Sequence, residues 1–349
     1  MRLAFAAPLI VFAACGAPTE PSGEPIVTAD AGTSAAPVDA GTQVTPDAGS
    51  SPADAGAAPR DTGAEADSGA APTPDAGAPE PADAGAPPDD SGDAPDYTGR
   101  GATQFTREEL RVAASPRCTM TAVRFQPQNR RVEGYALFLH GFARGRSQFL
   151  GWGEHLASHG IEAIVSDLCF ASISGVDPVA GGEAVATLIE QVGDAPVVII
   201  GHSAGSMAAL VAGVNADATV AVLGLDPVAP REGNLDEQAA DLEGMLAAIA
   251  GDPSQCNSNN SGVAIYRRGS AQTLSVAQAT HCDFEAPSNF LCTATCGGTG
   301  GPTVEATVRQ LVTAYAAWKL GLDEAASWWD LESPALSRWI EAGRVAPVR

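Results

Sequence analysis

The chain has 349 residues and seven cysteines, and its formal net charge is −23 at pH 7. Residues 16–99 contain 16 acidic residues and a single basic one, Arg60, so this stretch alone carries a net charge of −15. The acidity therefore belongs mostly to one segment. An overall charge of this sign argues against nucleic acid as a partner.

The N-terminus predicts a secretion signal followed by a lipid anchor. Arg2 precedes an apolar run over residues 3–14, which is too short to span a bilayer, so residues 1–14 are predicted to be a signal peptide. The run ends in a stretch that resembles a bacterial lipobox, Val11-Phe12-Ala13-Ala14-Cys15. Cys15 is therefore predicted to be lipidated and to anchor an exported bacterial lipoprotein, periplasmic or on the cell surface. The alternative is ordinary cleavage that leaves Cys15 lost or free.

Residues 15–99 predict a disordered tether. The segment repeats Asp-Ala-Gly among prolines and alanines and holds few large apolar residues, so it cannot build a core. Its functional interpretation is a spacer that holds a domain away from a membrane, and the alternative is low-complexity drift without a role.

From residue 100 to residue 349, apolar runs alternate with segments of helical pattern. This alternation is typical of an α/β domain, in which helices cover both faces of a mostly parallel central sheet. The pattern predicts strands at 119–125, 134–139, 161–166, 197–200, 220–225, 263–266 and 274–277. It predicts helices at 147–158, 183–192, 206–214, 235–250 and 304–319.

Residues 197–210 carry the motif that organises the predicted site, VVIIGHSAGSMAAL. Four β-branched residues predict a buried strand, and the run from residue 206 predicts a helix. Between them lies a G-x-S-x-G motif, whose small residues let the chain turn sharply and expose the serine, Gly201-His202-Ser203-Ala204-Gly205. Ser203 is therefore the candidate nucleophile, at a helix N-terminus that favours negative charge.

A serine nucleophile needs a base, and the base needs an acid that orients it. Of the five histidines, His281 alone follows Ser203 in the sequence, and it comes just after the last predicted strand. Because parallel strands present their carboxyl ends at one edge of a sheet, we expect His281 to reach the serine turn. His281 is the predicted base, and a structural loop histidine is the alternative.

The acid is expected between the serine and the histidine in the chain. Asp226 ends the apolar run at 220–225 and precedes Pro227, so it should emerge at the carboxyl end of a strand. No carboxylate lies between the next predicted strand, 263–266, and His281, which excludes an acid there. Asp226 is the predicted acid, and a turn or helix-capping aspartate is the alternative.

The loop after the predicted strand 134–139 completes the site. Gly141 would let this backbone come close to the serine. The N–H groups of Phe142 and Ala204 are then predicted to form the oxyanion hole.

With these motifs the domain resembles the α/β-hydrolases, in particular a chlorophyllase-like, lipase-like serine esterase branch. The resemblance covers roughly residues 117–320 and rests on His140-Gly141-Phe142 with Ser147, Leu156-Ala157-Ser158-His159-Gly160, Gly201-His202-Ser203 and Gly224-Leu225-Asp226-Pro227-Val228. It implies the α/β-hydrolase fold, an acid after the strand that follows the nucleophile helix, and hydrolysis of a carboxylic ester through an acyl-enzyme. The cysteine-rich stretch after His281 is not part of the plant enzymes, so chlorophyll is not implied as the substrate.

The other six cysteines are Cys118, Cys169, Cys256, Cys282, Cys292 and Cys296. An even number in an exported chain predicts disulfides, and six cysteines allow 15 pairings among which the sequence does not choose. A bond at Cys282 would hold the loop of the neighbouring His281. The alternative, a metal site at Cys292 and Cys296, is disfavoured because no histidine is spare and the compartment is oxidising.

The sequence thus predicts an exported, lipid-anchored serine hydrolase that cleaves carboxylic esters and needs no cofactor or metal. The expected partners are a small-molecule or lipid-like ester and, through Cys15, a membrane. The chain is expected to be a monomer that binds no nucleic acid. Two alternatives remain, an amidase or peptidase of the same fold and a surface binding module without activity.

Overall fold

The computed structural model describes residues 94–172 and 175–348. The predicted signal peptide, the lipidated Cys15 and the predicted tether up to residue 93 lie outside the described residues. No helix within the described ranges combines the length and the apolar character needed to cross a membrane.

Residues 95–97 are anchored on the folded domain, although the sequence places them in the tether. Tyr97 is buried, and its N–H donates to Gln310 Oε1 at 2.7 Å. Trp328 Nε1 donates to the Pro95 carbonyl at 2.8 Å. The folded part therefore begins a few residues before residue 100.

The strands are β1 (Phe105–Ser115), β2 (Cys118–Pro127), β3 (Tyr135–Leu139), β4 (Glu162–Ser166), β5 (Ala171–Ser172), β6 (Gly175–Val176), β7 (Val197–His202), β8 (Thr219–Leu225), β9 (Leu246–Ala250), β10 (Gln272–Val276) and β11 (Val345–Pro347). Within the described ranges, nine of them form one sheet in the order β1-β2-β4-β3-β7-β8-β9-β10-β11. The strands from β4 to β10 in that order are parallel, and antiparallel β1, β2 and β11 complete its two edges. The short β5 and β6 pair with each other separately.

The helices are α1 (Leu150–Ser158), α2 (Pro178–Val192), α3 (Gly205–Asn215), α4 (Asp236–Asp241), α5 (Val263–Arg268), α6 (Phe290–Cys296), α7 (Pro302–Lys319) and α8 (Pro334–Glu341). Along β7, Val198 and Ile200 pack in the core with α1 and α7, whereas Val197 and Ile199 pack with α2 and α3 on the opposite face. This alternation buries β7 on both faces. The predicted α/β class, with a mostly parallel sheet and helices on both faces, is confirmed.

Two predicted elements are wrong. The predicted helix 235–250 is the short α4 followed by strand β9, and the predicted strand 263–266 is the beginning of α5. The sequence of β9, LAAIA, has the alanine content of a helix, but its small side chains suit a strand buried between two layers. A four-residue apolar run such as 263–266 does not distinguish strand from buried helix.

Disulfides are confirmed, and the structure supplies their pairing: Cys118–Cys169, Cys256–Cys296 and Cys282–Cys292. The metal alternative does not fit these residues. The sulfur atoms of Cys292 and Cys296 form disulfide bonds, whereas a metal ligand must be a thiolate.

We expect the Cys118→Ala/Cys169→Ala double variant to lose about 4 kcal/mol of unfolding free energy, because this bond restricts a loop with a sequence separation of 51. The matched control is Cys282→Ala/Cys292→Ala, where the separation is 10 and the expected loss is about 3 kcal/mol. Urea denaturation measures both values. A smaller loss for the longer loop would contradict the expectation.

Candidate active site

Ser203 lies at the turn that connects β7 to α3. Its φ of 56° is in the left-handed region, which a non-glycine residue rarely adopts and which costs about 1–2 kcal/mol. Two backbone bonds hold the turn, from Ser203 N–H to the Leu225 carbonyl at 2.9 Å and from Val228 N–H to the Ser203 carbonyl at 3.3 Å. The predicted nucleophile is thus fixed against the end of β8.

Both glycines of the motif are required by close backbone contacts. A Cβ atom on Gly201 would lie 2.4 Å from Ser206 Cα, and one on Gly205 would lie 2.3 Å from the His140 carbonyl oxygen. The loop after β3 also lies against the serine, since a Cβ on Gly141 would come within 2.6 Å of Ser203 Cβ. The turn therefore brings the ends of β3 and β7 together around Ser203.

Asp226 follows β8 and is fully buried. Its Oδ1 accepts hydrogen bonds from the Gly251 N–H at 2.9 Å and from Asn257 Nδ2 at 3.2 Å. Its Oδ2 lies 2.5 Å from His281 Nδ1. The structure therefore brings the predicted acid and the predicted base into direct contact.

His281 begins a short 3₁₀ helix, His281–Phe284, after β10. Because Nδ1 donates to the Asp226 carboxylate, the other ring nitrogen, Nε2, keeps its lone pair for accepting a proton. In the part of the chain that the structure describes, no hydrogen bond joins this nitrogen to the Ser203 hydroxyl. Such bonds are often long in a ligand-free site and tighten when substrate is present.

His202 lies between the predicted nucleophile and the predicted base. It is buried next to Ser203, its ring centroid is 4.5 Å from that of His281, and its Nε2 donates to the His281 carbonyl at 3.1 Å. Burial lowers the pKa of His202 well below its ordinary value, so the ring is neutral at neutral pH. His202 therefore fixes the backbone of the base without adding a charge beside it.

His140 orients the loop that carries Phe142. Its Nδ1 donates to the Gly141 carbonyl at 2.9 Å, its Nε2 accepts from the Leu168 N–H at 2.8 Å, and burial lowers its pKa. Because a trans peptide directs its C=O and N–H oppositely, the Phe142 N–H points away from the His140 ring. Neither this N–H nor that of Ala204 has an acceptor within residues 94–172 and 175–348. These two N–H groups, which the sequence predicts as the oxyanion hole, are therefore unpaired in the described residues.

A buried ion pair ties the loop after β3 to the loop after His281. Arg144 Nε lies 2.5 Å from Glu285 Oε1, and the Glu285 side chain is fully buried. Next to this pair, Ala286 N–H donates to the Gln148 carbonyl, and Gly151 N–H donates to the Ala286 carbonyl, both at 2.7 Å. The two loops that would contact the substrate are thus held to each other.

Helix α6 fastens two parts of the site through its disulfides. Cys292 is bonded to Cys282, which adjoins His281. Cys296 is bonded to Cys256, which adjoins Asn257, a hydrogen-bond donor to Asp226. The residue before Asn257 and the residue after His281 are therefore both attached to the same seven-residue helix.

One step in the prediction of Asp226 is wrong, because it takes 263–266 as the strand that follows β8. The strand that follows β8 in the sequence is β9, and Asp252, a carboxylate, comes two residues after its end. Asp252 is exposed, whereas Asp226 is the residue in contact with His281. The sequence alone does not indicate Asn257 or Arg144, because no local pattern shows which residues a distant loop will meet.

Comparison of the sequence with protein-family models and with curated proteins returns no match. The resemblance to the α/β-hydrolases therefore stays a prediction from the motifs of the sequence.

We expect Gly205→Ala to destabilise the domain by about 3 kcal/mol or more, because the new Cβ would overlap the His140 carbonyl. Gly181→Ala in α2 is the matched control. Its Cβ would meet no atom closer than 3.4 Å, so it should stabilise the domain by about 0.5–1 kcal/mol. Urea denaturation measures both, and equal effects of the two substitutions would contradict the packing of the turn.

Proposed function

We propose that this chain is a serine hydrolase with the α/β-hydrolase fold and that it cleaves carboxylic esters through an acyl-enzyme. The observation that carries the proposal is the 2.5 Å contact between His281 Nδ1 and Asp226 Oδ2 beside a strand–serine–helix turn. The loop between β3 and α1 contributes the backbone next to the serine, as in that fold. The order Ser203, Asp226, His281 along the chain also agrees with it.

In the first half of the reaction, Ser203 Oγ attacks the ester carbonyl while His281 Nε2 takes the hydroxyl proton. Asp226 stabilises the imidazolium ion that forms, since its carboxylate accepts the hydrogen bond from His281 Nδ1. The negative charge on the former carbonyl oxygen is stabilised by the N–H groups of Phe142 and Ala204. The tetrahedral intermediate then collapses, and His281 gives its proton to the departing alcohol.

In the second half, water attacks the acyl-enzyme with His281 again as the general base. The same oxyanion donors stabilise the second tetrahedral intermediate. Its collapse returns the proton to Ser203 Oγ and releases the carboxylic acid. No cofactor enters either half of the cycle.

Exposed apolar side chains support an ester with an apolar group as the substrate. Phe142 and Phe170 follow β3 and β4, and their residues are 47% and 38% exposed. Phe290 and Leu291 in α6, after β10, are 85% and 58% exposed. These loops all follow carboxyl ends of parallel strands, the edge of the sheet that also carries Ser203. Apolar groups at the rim of a site favour a lipid-like ester over a strongly polar one.

The proposal includes export and anchoring through Cys15. Three disulfides within the described residues support an oxidising compartment, where such bonds persist. The predicted signal peptide at residues 1–14 and the lipobox-like end of that segment support the same location.

We expect Ser203→Ala to lower kcat for short-chain nitrophenyl esters by a factor of about 10⁴ or more, because the attacking hydroxyl is removed. Ser337→Ala in α8 is the matched control, since its hydroxyl bonds only the Leu331 carbonyl and it should keep full turnover. Release of nitrophenol measures both rates. Equal turnover of the Ser203 variant and the wild-type protein would end the proposal.

A further inference from the structure

We infer that Asn257 is a positioning residue that holds Asp226 Oδ1, so that Oδ2 stays directed at His281. Its effect on the catalytic rate rests on the proposed function, whereas its effect on the hydrogen bond between His281 and Asp226 does not. Asn257 is remote in sequence from all three residues of the proposed triad and lies in no recognised motif.

Every hydrogen-bonding atom of the Asn257 amide is engaged. Nδ2 donates to Asp226 Oδ1 at 3.2 Å and to the Asp252 carbonyl at 2.9 Å. Oδ1 accepts the N–H groups of Ser254 at 2.8 Å and Asn260 at 3.2 Å. Rotating the amide by half a turn would place its oxygen against the carboxylate and its nitrogen against two donors. The orientation with Nδ2 towards Asp226 is therefore fixed by all four contacts.

A buried carboxylate rotates less freely about its last bond the more hydrogen bonds hold its two oxygens. Oδ2 is held by the imidazole, and Oδ1 by the Gly251 N–H together with the Asn257 amide. Hydrogen bonds to an ionised oxygen are stronger than neutral ones. Without the amide, Asp226 would keep one backbone donor on Oδ1, and the orientation of Oδ2 towards His281 would loosen.

The turn that carries Asn257 adopts a costly backbone conformation. Ser258, Asn259 and Asn260 have φ values of 49°, 55° and 59°, three consecutive non-glycine residues in the left-handed region. Such strain persists where the surrounding structure determines the conformation, and it is concentrated at functional sites. The strain is consistent with a turn whose shape is maintained for the contact that Asn257 makes.

Both ends of this turn are fastened to parts of the proposed site. On one side, Cys256 is bonded to Cys296 of α6. On the other, the Gly262 N–H donates to the Pro227 carbonyl at 3.1 Å, and the Ala229 N–H donates to Ser261 Oγ at 3.1 Å. The second attachment lies directly after Asp226 in the chain. The position of the turn relative to Asp226 is thus fixed.

The test compares the same chemical change at two positions of this turn, in the full-length chain. Asn257→Asp keeps the Oδ1 acceptor but removes the donor to Asp226. Asn259→Asp, the matched control, makes the same change at an exposed residue of the same turn. Asn257→Ser is the second variant, since its hydroxyl can still accept from the turn but is too short to reach Asp226.

Two measurements are made on each protein. The first is the far-downfield proton resonance of His281 Nδ1, recorded by NMR without substrate. The second is kcat and KM for a short-chain nitrophenyl ester. For both Asn257 variants we expect the resonance to shift or broaden, kcat to fall about 10- to 100-fold and KM to change less than about twofold. For Asn259→Asp we expect a wild-type resonance and kcat.

A folded Asn257 variant with the wild-type resonance and kcat would overturn the inference. Equal losses in the Asn259 control would also overturn it, since they would reduce Asn257 to a structural part of the turn. If the wild-type protein hydrolyses no ester but the resonance responds to Asn257 alone, the positioning role stands and the proposed function fails.

Discussion

The hydrogen bond between His281 Nδ1 and Asp226 Oδ2 is the contact on which the arrangement of the site depends. A fully buried carboxylate costs several kcal/mol unless hydrogen-bond donors replace the water it loses. The loops that follow three neighbouring parallel strands supply the carboxylate and two of its hydrogen-bond donors. Asp226 follows β8, the Gly251 donor follows β9, and His281 comes after β10. The order of strands in the sheet thus places an acid, its donor and a base at one edge.

The groups around the His281–Asp226 pair are arranged so that few unpaired charges lie beside it. His202 and His140 lie close to the same edge, but burial lowers the pKa of each, and both rings act as neutral hydrogen-bonding groups. Arg144, whose charge acts on His202, is paired with the buried Glu285. A second imidazolium beside His281 would disfavour the protonated form that the proposed mechanism requires. Neutral rings can hold backbone groups in place without that cost.

Much of the fold and the main residues of the candidate site could be predicted from local patterns. The β-branched run before Ser203 and the apolar run before Asp226 are strong strand signals, and both strands are present as β7 and β8. The alanine content of β9 predicts a helix, because its strand form depends on burial between two layers, which a local pattern does not contain. For the same reason, the sequence does not predict the role of Asn257 or the disulfide partners of α6, since both arise from contacts between distant segments.

Covalent labelling with a fluorophosphonate probe, mapped by mass spectrometry, tests the central claim most directly. An activated serine beside a proton acceptor attacks such a probe, whereas an ordinary serine does not. We predict one stoichiometric adduct on the peptide containing Ser203, and its absence when His281 is replaced by alanine. An unlabelled native protein, or equal labelling of the His281 variant, would contradict the account.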